Sequence, residues 1–343
     1  MKRAVAALFG LYWICSAFTS SAQAPQGTAE SHVAAARTAA GQDFTALFNA
    51  LCPAPNAAAT QRGQAPAAPA AGGQRAQAPA AAARGGQRGA PPASQWHAEP
   101  VKVFDNLYYV GMTEYSAWAV TTSAGIIIID TIYNYSVEDE IEGGLRKLGF
   151  DPASIKYAIV SHAHTDHSGG ARYLQDKFGA KIVLSAADWD LFESNTAEAA
   201  RPKRDIVATD GYKLTLGDTT LTLHLTPGHT PGTISTLIPV KDRGRTHLAA
   251  LWGGTAFNFA RTPQNFQNYI DSARRFSEIV ARAGADIILS NHTNYDGSKV
   301  KQPALATRRA NEPHPYVIGN DSVRRYLKTA EECATAGLLG LAK

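Results

Sequence analysis

Forty consecutive residues, Pro53 to Pro92, contain no aromatic side chain, no large aliphatic and no acid. They comprise 16 Ala, 7 Pro, 6 Gly, 5 Gln, 4 Arg, one Asn and one Thr. Such a stretch cannot bury enough apolar surface to offset the entropy lost on ordering. Its recurring Gly-Gln-Arg and Gln-Ala-Pro phrases mark low complexity, and it reads as a flexible linker over 53–95. A core has to come from residues 96–343, which suffice for one well-buried domain. Charge follows the same division. The chain of 343 residues carries a formal net charge of +4, and discounting Lys2, Arg3, Arg62, Arg75, Arg84 and Arg88, all before residue 96, leaves the rest near −2. A nucleic-acid-binding face is not implied.

Residues 1–22 read as a secretory signal peptide. Lys2 and Arg3 precede an uncharged, mostly apolar run from Ala4 to Phe18, and Ser20-Ser21-Ala22 offers small residues for cleavage. A retained membrane anchor is the weaker reading, because a spanning helix needs ~20 apolar residues. The expected location is therefore periplasmic or extracellular, with no membrane attachment after cleavage. Cys15 would leave with the signal, and Cys52 and Cys333 would remain in a compartment that permits disulfides. In the short helical segment 23–52, residues Phe44, Leu47, Phe48, Leu51 and Cys52 share one helical stripe. Val323, Tyr326, Leu327, Ala330 and Cys333 do the same near the C-terminus. Two packed helices bridged by Cys52–Cys333 fit this pattern, and two buried free thiols are the alternative.

From residue 96 onward the pattern is that of an α/β protein. Short strands are expected at 101–104, 107–110 and 118–121. The run Gly125–Asp130, with four consecutive isoleucines, reads as a buried strand. Ser136–Leu148 reads as a helix, with acids in its first turn and Arg146 and Lys147 in its last. Strand 157–160, helix 169–178 and strand 181–184 follow. Later come a hairpin around Gly217-Asp218, strands at 233–240 and 247–252, a helix from Pro263 to Ala283, a strand at 286–289 and a closing helix 322–334. Two batches of strands, each with helices, suit a layered α/β sandwich.

The chemistry sits where strand 157–160 ends, in Ser161-His162-Ala163-His164-Thr165-Asp166-His167-Ser168-Gly169-Gly170. Four metal-capable side chains fall within six residues. In an extended loop His162 and His164 point the same way, because side chains alternate. Asp166 and His167, past a bend, can address a second point. Imidazoles suit zinc, and a carboxylate suits a site that also holds water. Two further histidines end strands: His229 in Thr226-Pro227-Gly228-His229-Thr230-Pro231-Gly232, and His292 in Ser290-Asn291-His292-Thr293. His32, His97, His224, His247 and His314 lack such settings and read as structural or solvated.

The His-x-His-x-Asp-His run, the Thr-Pro-Gly-His turn and the later His resemble the metallo-β-lactamase superfamily. The resemblance implies an αββα four-layer sandwich with two zinc ions at one edge. It implies His162, His164 and His229 on the first zinc, and Asp166, His167 and His292 on the second. Asp130, at the end of its strand, matches an acid that orients a ligand; a plain strand-end cap is the alternative. Many members carry a bridging Asp or a Cys before the last long helix, where this chain has Leu251-Trp252-Gly253-Gly254-Thr255-Ala256-Phe257. The missing Asp counts against the lactonase, thioesterase and flavodiiron branches, and the missing Cys against two zinc β-lactamase subclasses. The remaining pattern is similar to subclass three of the class B β-lactamases. A zinc-dependent hydrolase opening β-lactam rings is thus implied, with an antibiotic-resistance role. A zinc-bound water of pKa ~7, against ~15.7 free, would be the nucleophile, and Asp166 would orient it. Thr255 stands where that subclass uses a Ser to grip substrate. Tyr115, Trp118, Phe257 and Tyr295 flank the site-bearing segments. Alternatives are a hydrolase of the same fold acting on a lactone, thioester or phosphodiester, and a non-catalytic envelope zinc-binding protein.

Overall fold

The computed structural model describes residues 26–52 and 90–341. The expected signal peptide and most of the expected linker lie outside the described residues. Seven strands form one sheet in sequential order: β1 (Val101–Lys102), β2 (Leu107–Tyr109), β3 (Trp118–Thr122), β4 (Gly125–Ile129), β5 (Ile155–Ile159), β6 (Lys181–Ser185) and β7 (Ile206–Ala208). Pairing is antiparallel from β1 to β4 and parallel from β4 to β7. A second sheet runs in the order β12-β11-β10-β9-β8. Its strands are β8 (Tyr212–Leu216), β9 (Thr219–Leu225), β10 (Ile234–Asp242), β11 (Arg245–Trp252) and β12 (Ile287–Ser290).

The isoleucine run shows why these sheets stack. Successive strand side chains point to opposite faces. Ile127 and Ile129 enter the core between the sheets, beside Leu221, Leu223, Ile238 and Leu251. Ile126 and Ile128 enter the outer core, beside Leu145, Leu174 and Trp189. A strand apolar on both faces has to be covered on both, and helices do so. The helices in chain order are α1 (Ala29–Ala40), α2 (Thr45–Leu51), α3 (Gly143–Lys147), α4 (Thr165–Ser168), α5 (Ala171–Phe178), α6 (Ala186–Asn195), α7 (Pro263–Ala283), α8 (Ser298–Thr307) and α9 (Asn320–Gly340). Segments α3, α5 and α6 cover the first sheet; α1, α2, α7 and α9 cover the second. The architecture is the αββα sandwich.

One local departure has a physical cause. The expected helix over 136–148 instead opens with a wide π-helical stretch, Glu138–Glu142, before α3. Glu140 and Glu142 turn inward there. Glu140 accepts from His97 Nδ1 at 2.5 Å and from Ala98 N at 3.1 Å, and Glu142 takes Lys177 Nζ at 2.7 Å. The N-terminal helices α1 and α2 share the second helical layer with α7 and α9. Phe44 meets Tyr326 edge-on at 5.3 Å, and Cys52 is bonded to Cys333 across 281 positions, with Cα atoms 4.6 Å apart. Among the described residues no helix is long and apolar enough to cross a membrane.

Candidate metal centre

Loops at one edge of the sandwich carry every candidate ligand. His162 and His164 follow β5, Asp166 and His167 lie on α4, His229 follows β9 and His292 follows β12. The first triad brings His162 Nε2 to 3.0 Å and His164 Nδ1 to 3.1 Å from His229 Nε2. The second places His167 Nε2 3.1 Å from Asp166 Oδ2 and 3.3 Å from His292 Nε2, with Asp166 Oδ2 and His292 Nε2 3.7 Å apart. Within each triad all offered atoms lie within 4.8 Å of one another. Tetrahedral coordination at ~2.0–2.1 Å puts neighbouring ligand atoms about 3.4 Å apart, so the spacings suit a metal ion in each triad. The two triads adjoin, with the rings of His162 and His167 4.3 Å apart.

The far side of three rings is anchored, which fixes the nitrogen each presents. His162 Nδ1–H donates to Gly253 O at 2.8 Å, and His229 Nδ1–H donates to Ala256 O at 2.5 Å. His167 Nδ1–H donates to Asp130 Oδ2 at 3.1 Å. Asp130 also accepts from Ser161 N at 2.7 Å and Ser161 Oγ at 3.0 Å. It therefore caps the strand end and orients a ligand at once. Its φ of 61° is unusual for a non-glycine residue. The neighbouring Thr131 locks this turn by donating twice to His167 O, from N at 2.7 Å and from Oγ1 at 2.9 Å.

The electrostatics leave most of the imidazoles ready to bind. Burial lowers His162 well below its ordinary value, and the neighbouring histidines add to the effect. Burial takes His229 down to about 3 and His292 to about 4. Burial also acts on His167, but Asp166 and Asp130 outweigh it and raise that ring to about 10. Burial alone would raise Asp166; His167 overrides it and holds the carboxyl far below the usual range. His162, His167 and His229 are buried, whereas His164, Asp166 and His292 are half-buried.

The stretch Leu251–Phe257 acts through its backbone. Gly253 and Ala256 supply the carbonyls that anchor His162 and His229. A Cβ on Gly253 would lie 1.8 Å from Ile234 O, and one on Gly254 2.5 Å from His229 Cβ. Thr255, expected to grip substrate, is 1% exposed, and its hydroxyl meets Ser290 Oγ at 3.3 Å. Tight packing behind the site turns that side chain inward, so the protein and not a ligand engages it. Trp118 is likewise core. Tyr115 and Tyr295 do flank His292, with ring centres 5.1 and 5.5 Å away, and Tyr133 meets Tyr115 edge-on at 5.1 Å. The other five histidines lie elsewhere: His32 on Glu332, His97 on Glu140, His224 near Asp210, His247 on Asp286, His314 on Val103 O.

One residue of the site escaped the sequence reading. Asp188, on α6 and 1% exposed, accepts from Ala163 N at 2.9 Å, Thr230 Oγ1 at 2.7 Å and Gly232 N at 2.7 Å. Its signal in the sequence was Ser185-Ala186-Ala187-Asp188, a helix-start pattern.

A family profile described as the metallo-β-lactamase superfamily matches residues 111–243. An N-acyl homoserine lactonase of a Bacillus species is 30% identical over 147 residues, covering 41% of this chain and 53% of the relative. A hydroxyacylglutathione hydrolase of Acidiphilium cryptum is 27% identical over 207 residues, covering 57% and 73%. The chain spans about half the length of the curated lactonase. Among solved structures, BJP-1, a subclass B3 metallo-β-lactamase of Bradyrhizobium japonicum, is similar with 30% identity and a TM-score of 0.60, covering 68% of this chain and 91% of that one. The metallo-β-lactamase FEZ-1 of Legionella gormanii gives 26% and 0.59, covering 68% and 92%. The curated relatives overturn the expectation of a β-lactamase role in antibiotic resistance, since they are named lactonases and a hydroxyacylglutathione hydrolase. The stretch Leu251–Phe257 nonetheless holds neither Asp nor Cys. Kinship to lactonases persists although Gly253 and Gly254 leave no room for a side chain.

Proposed function

The chain belongs to the metallo-β-lactamase superfamily, and we propose that it is a metal-dependent hydrolase whose substrate is a lactone. The observation that carries this reading is the sequence kinship with N-acyl homoserine lactonases, joined to a donor set that suits two zinc ions. Zinc, when bound, supplies a Lewis acid for the ring carbonyl and lowers the pKa of water to ~7.

The chain's own residues do the rest. Closed structural zinc sites use four protein ligands, whereas catalytic ones keep a position open. Each triad here offers three, which favours an enzyme over an envelope zinc-binding protein. His162, His167 and His229 are fixed from behind. Asp166 is held ionised and half-buried, and its carboxylate can accept a hydrogen bond from water. Tyr115 and Tyr295 stand beside His292, a partly apolar wall for the group carried by the lactone ring. The two remaining cysteines bond to each other, so neither serves as a nucleophile. A net charge near −2 outside the basic N-terminal segments gives no support to phosphodiesters. We retain in this proposal the export of the chain and the division into 1–22, 23–52, 53–95 and 96–343. The Cys52–Cys333 bond supports an oxidising compartment.

Proton release from an N-acyl homoserine lactone, followed beside a chromogenic cephalosporin and a phosphodiester reporter, tests the substrate. Lactone opening should be the fastest, should stop with chelator and should return with zinc. Cephalosporin turnover faster than lactone turnover would contradict the reading.

A further inference from the structure

We infer that Asp188 is a positioning residue for the first metal triad, clamping the two loops that carry its three histidines. Its three donors come from both loops. Ala163 N lies between His162 and His164; Thr230 Oγ1 and Gly232 N follow His229. Asp188 itself stands on a third element, α6, where Ser185 caps the helix by accepting from Asp188 N at 3.2 Å. In a capping box the third residue would return its side chain to the cap. Here the carboxylate reaches the metal loops instead.

Three further observations make this a clamp. Gly232 lies so close to the start of α6 that a Cβ there would meet Ser185 Oγ at 2.0 Å and Asp188 N at 2.6 Å. The Thr230 hydroxyl is itself held by Thr233 Oγ1 at 2.8 Å. Asp188, Thr230 and Thr233 are all at most 3% exposed. Losing that buried acceptor would leave Ala163 N and Gly232 N without this partner and remove one tie between the His162–His164 and His229 loops, beside Ile234 N to Ser161 O at 2.8 Å. A buried carboxylate also offsets part of the positive charge that two divalent ions would bring. The inference concerns metal affinity and holds whichever ring is the substrate.

Asp188→Asn keeps the shape but turns one acceptor into a donor facing N–H or O–H groups. The test is competition of the full-length protein against a chromophoric chelator, with zinc and separately with cobalt(II), whose absorption reports the coordination of each ion. Asp188→Asn should weaken one of the two ions roughly 10–100-fold, the same ion lost in His229→Ala, and leave the other unchanged. Thermal melting of the chelator-treated protein separates this from general destabilisation. Should Asp188→Asn fail to fold, Thr230→Val and Thr230→Ser serve instead: the valine should weaken the same ion and the serine restore it. Unchanged affinity with a lowered melting temperature, or a valine that binds as tightly as wild type, would overturn the inference.

Discussion

His167 occupies the most unusual position of any single residue, between the carboxylates of Asp130 and Asp166 and fully buried. With those two beside it the ring holds a proton up to about 10, whereas His229 and His292 shed theirs near 3 and 4. Metal ligation needs the unprotonated nitrogen. At neutral pH His167 therefore has a proton to give up when the second triad loads, whereas burial has already lowered His162, His164 and His229 of the first. Calorimetric titration with zinc in two buffers of different ionisation enthalpy should show the larger buffer-dependent heat for the ion of the second triad. Affinity for that ion should rise with pH through the neutral range. Heats identical in both buffers would contradict the arrangement. At this scale the sequence was informative because chemistry is local: His162, His164, Asp166 and His167 are adjacent in the chain. Thr255 misled because its orientation depends on Ser290, 35 positions away, which no local pattern displays.

Among the elements, the strands were the most legible. The Gly217-Asp218 turn marked the β8–β9 hairpin, and four isoleucines marked β4, because alternation and turn residues are written locally. Helix α7 was equally plain from its apolar spacing. Helices α6 and α8 were not. α6 buries Asp188 beside Trp189 and Phe192, so its inward face is not uniformly apolar, and α8 carries an internal proline and buries only Ser298. Helices α1 and α2, separated from the rest by the linker, hold the second helical layer through Ala36, Ala40, Leu47 and Leu51. Their covalent tie constrains the unfolded chain most, since it closes a very long loop. Replacing Cys52 and Cys333 by serine should cost about 2–4 kcal/mol of stability and leave metal content unchanged, as the bond lies away from the metal loops. Denaturant unfolding with the wild-type midpoint would show that the bond carries no stability.

For the molecule as a whole, the sandwich gathers three distant loops at one edge and backs them with buried carboxylates and backbone carbonyls. That three separated segments would converge was legible from the order of motifs. The distances between them were not, because loop separation is set by packing of the two sheets and by tertiary anchors such as Asp188. Substrate choice was less legible still, since it rests on the wall around the opening and not on the ligands. Everything downstream depends on two adjacent divalent ions being held by His162, His164 and His229 and by Asp166, His167 and His292. Elemental analysis of the folded protein, saturated with zinc and then freed of excess, measures this directly. Two ions per chain are predicted for wild type, and one for Asp166→Ala together with loss of turnover; fewer than two ions in saturated wild type, or two retained in Asp166→Ala with full turnover, would contradict the assignment.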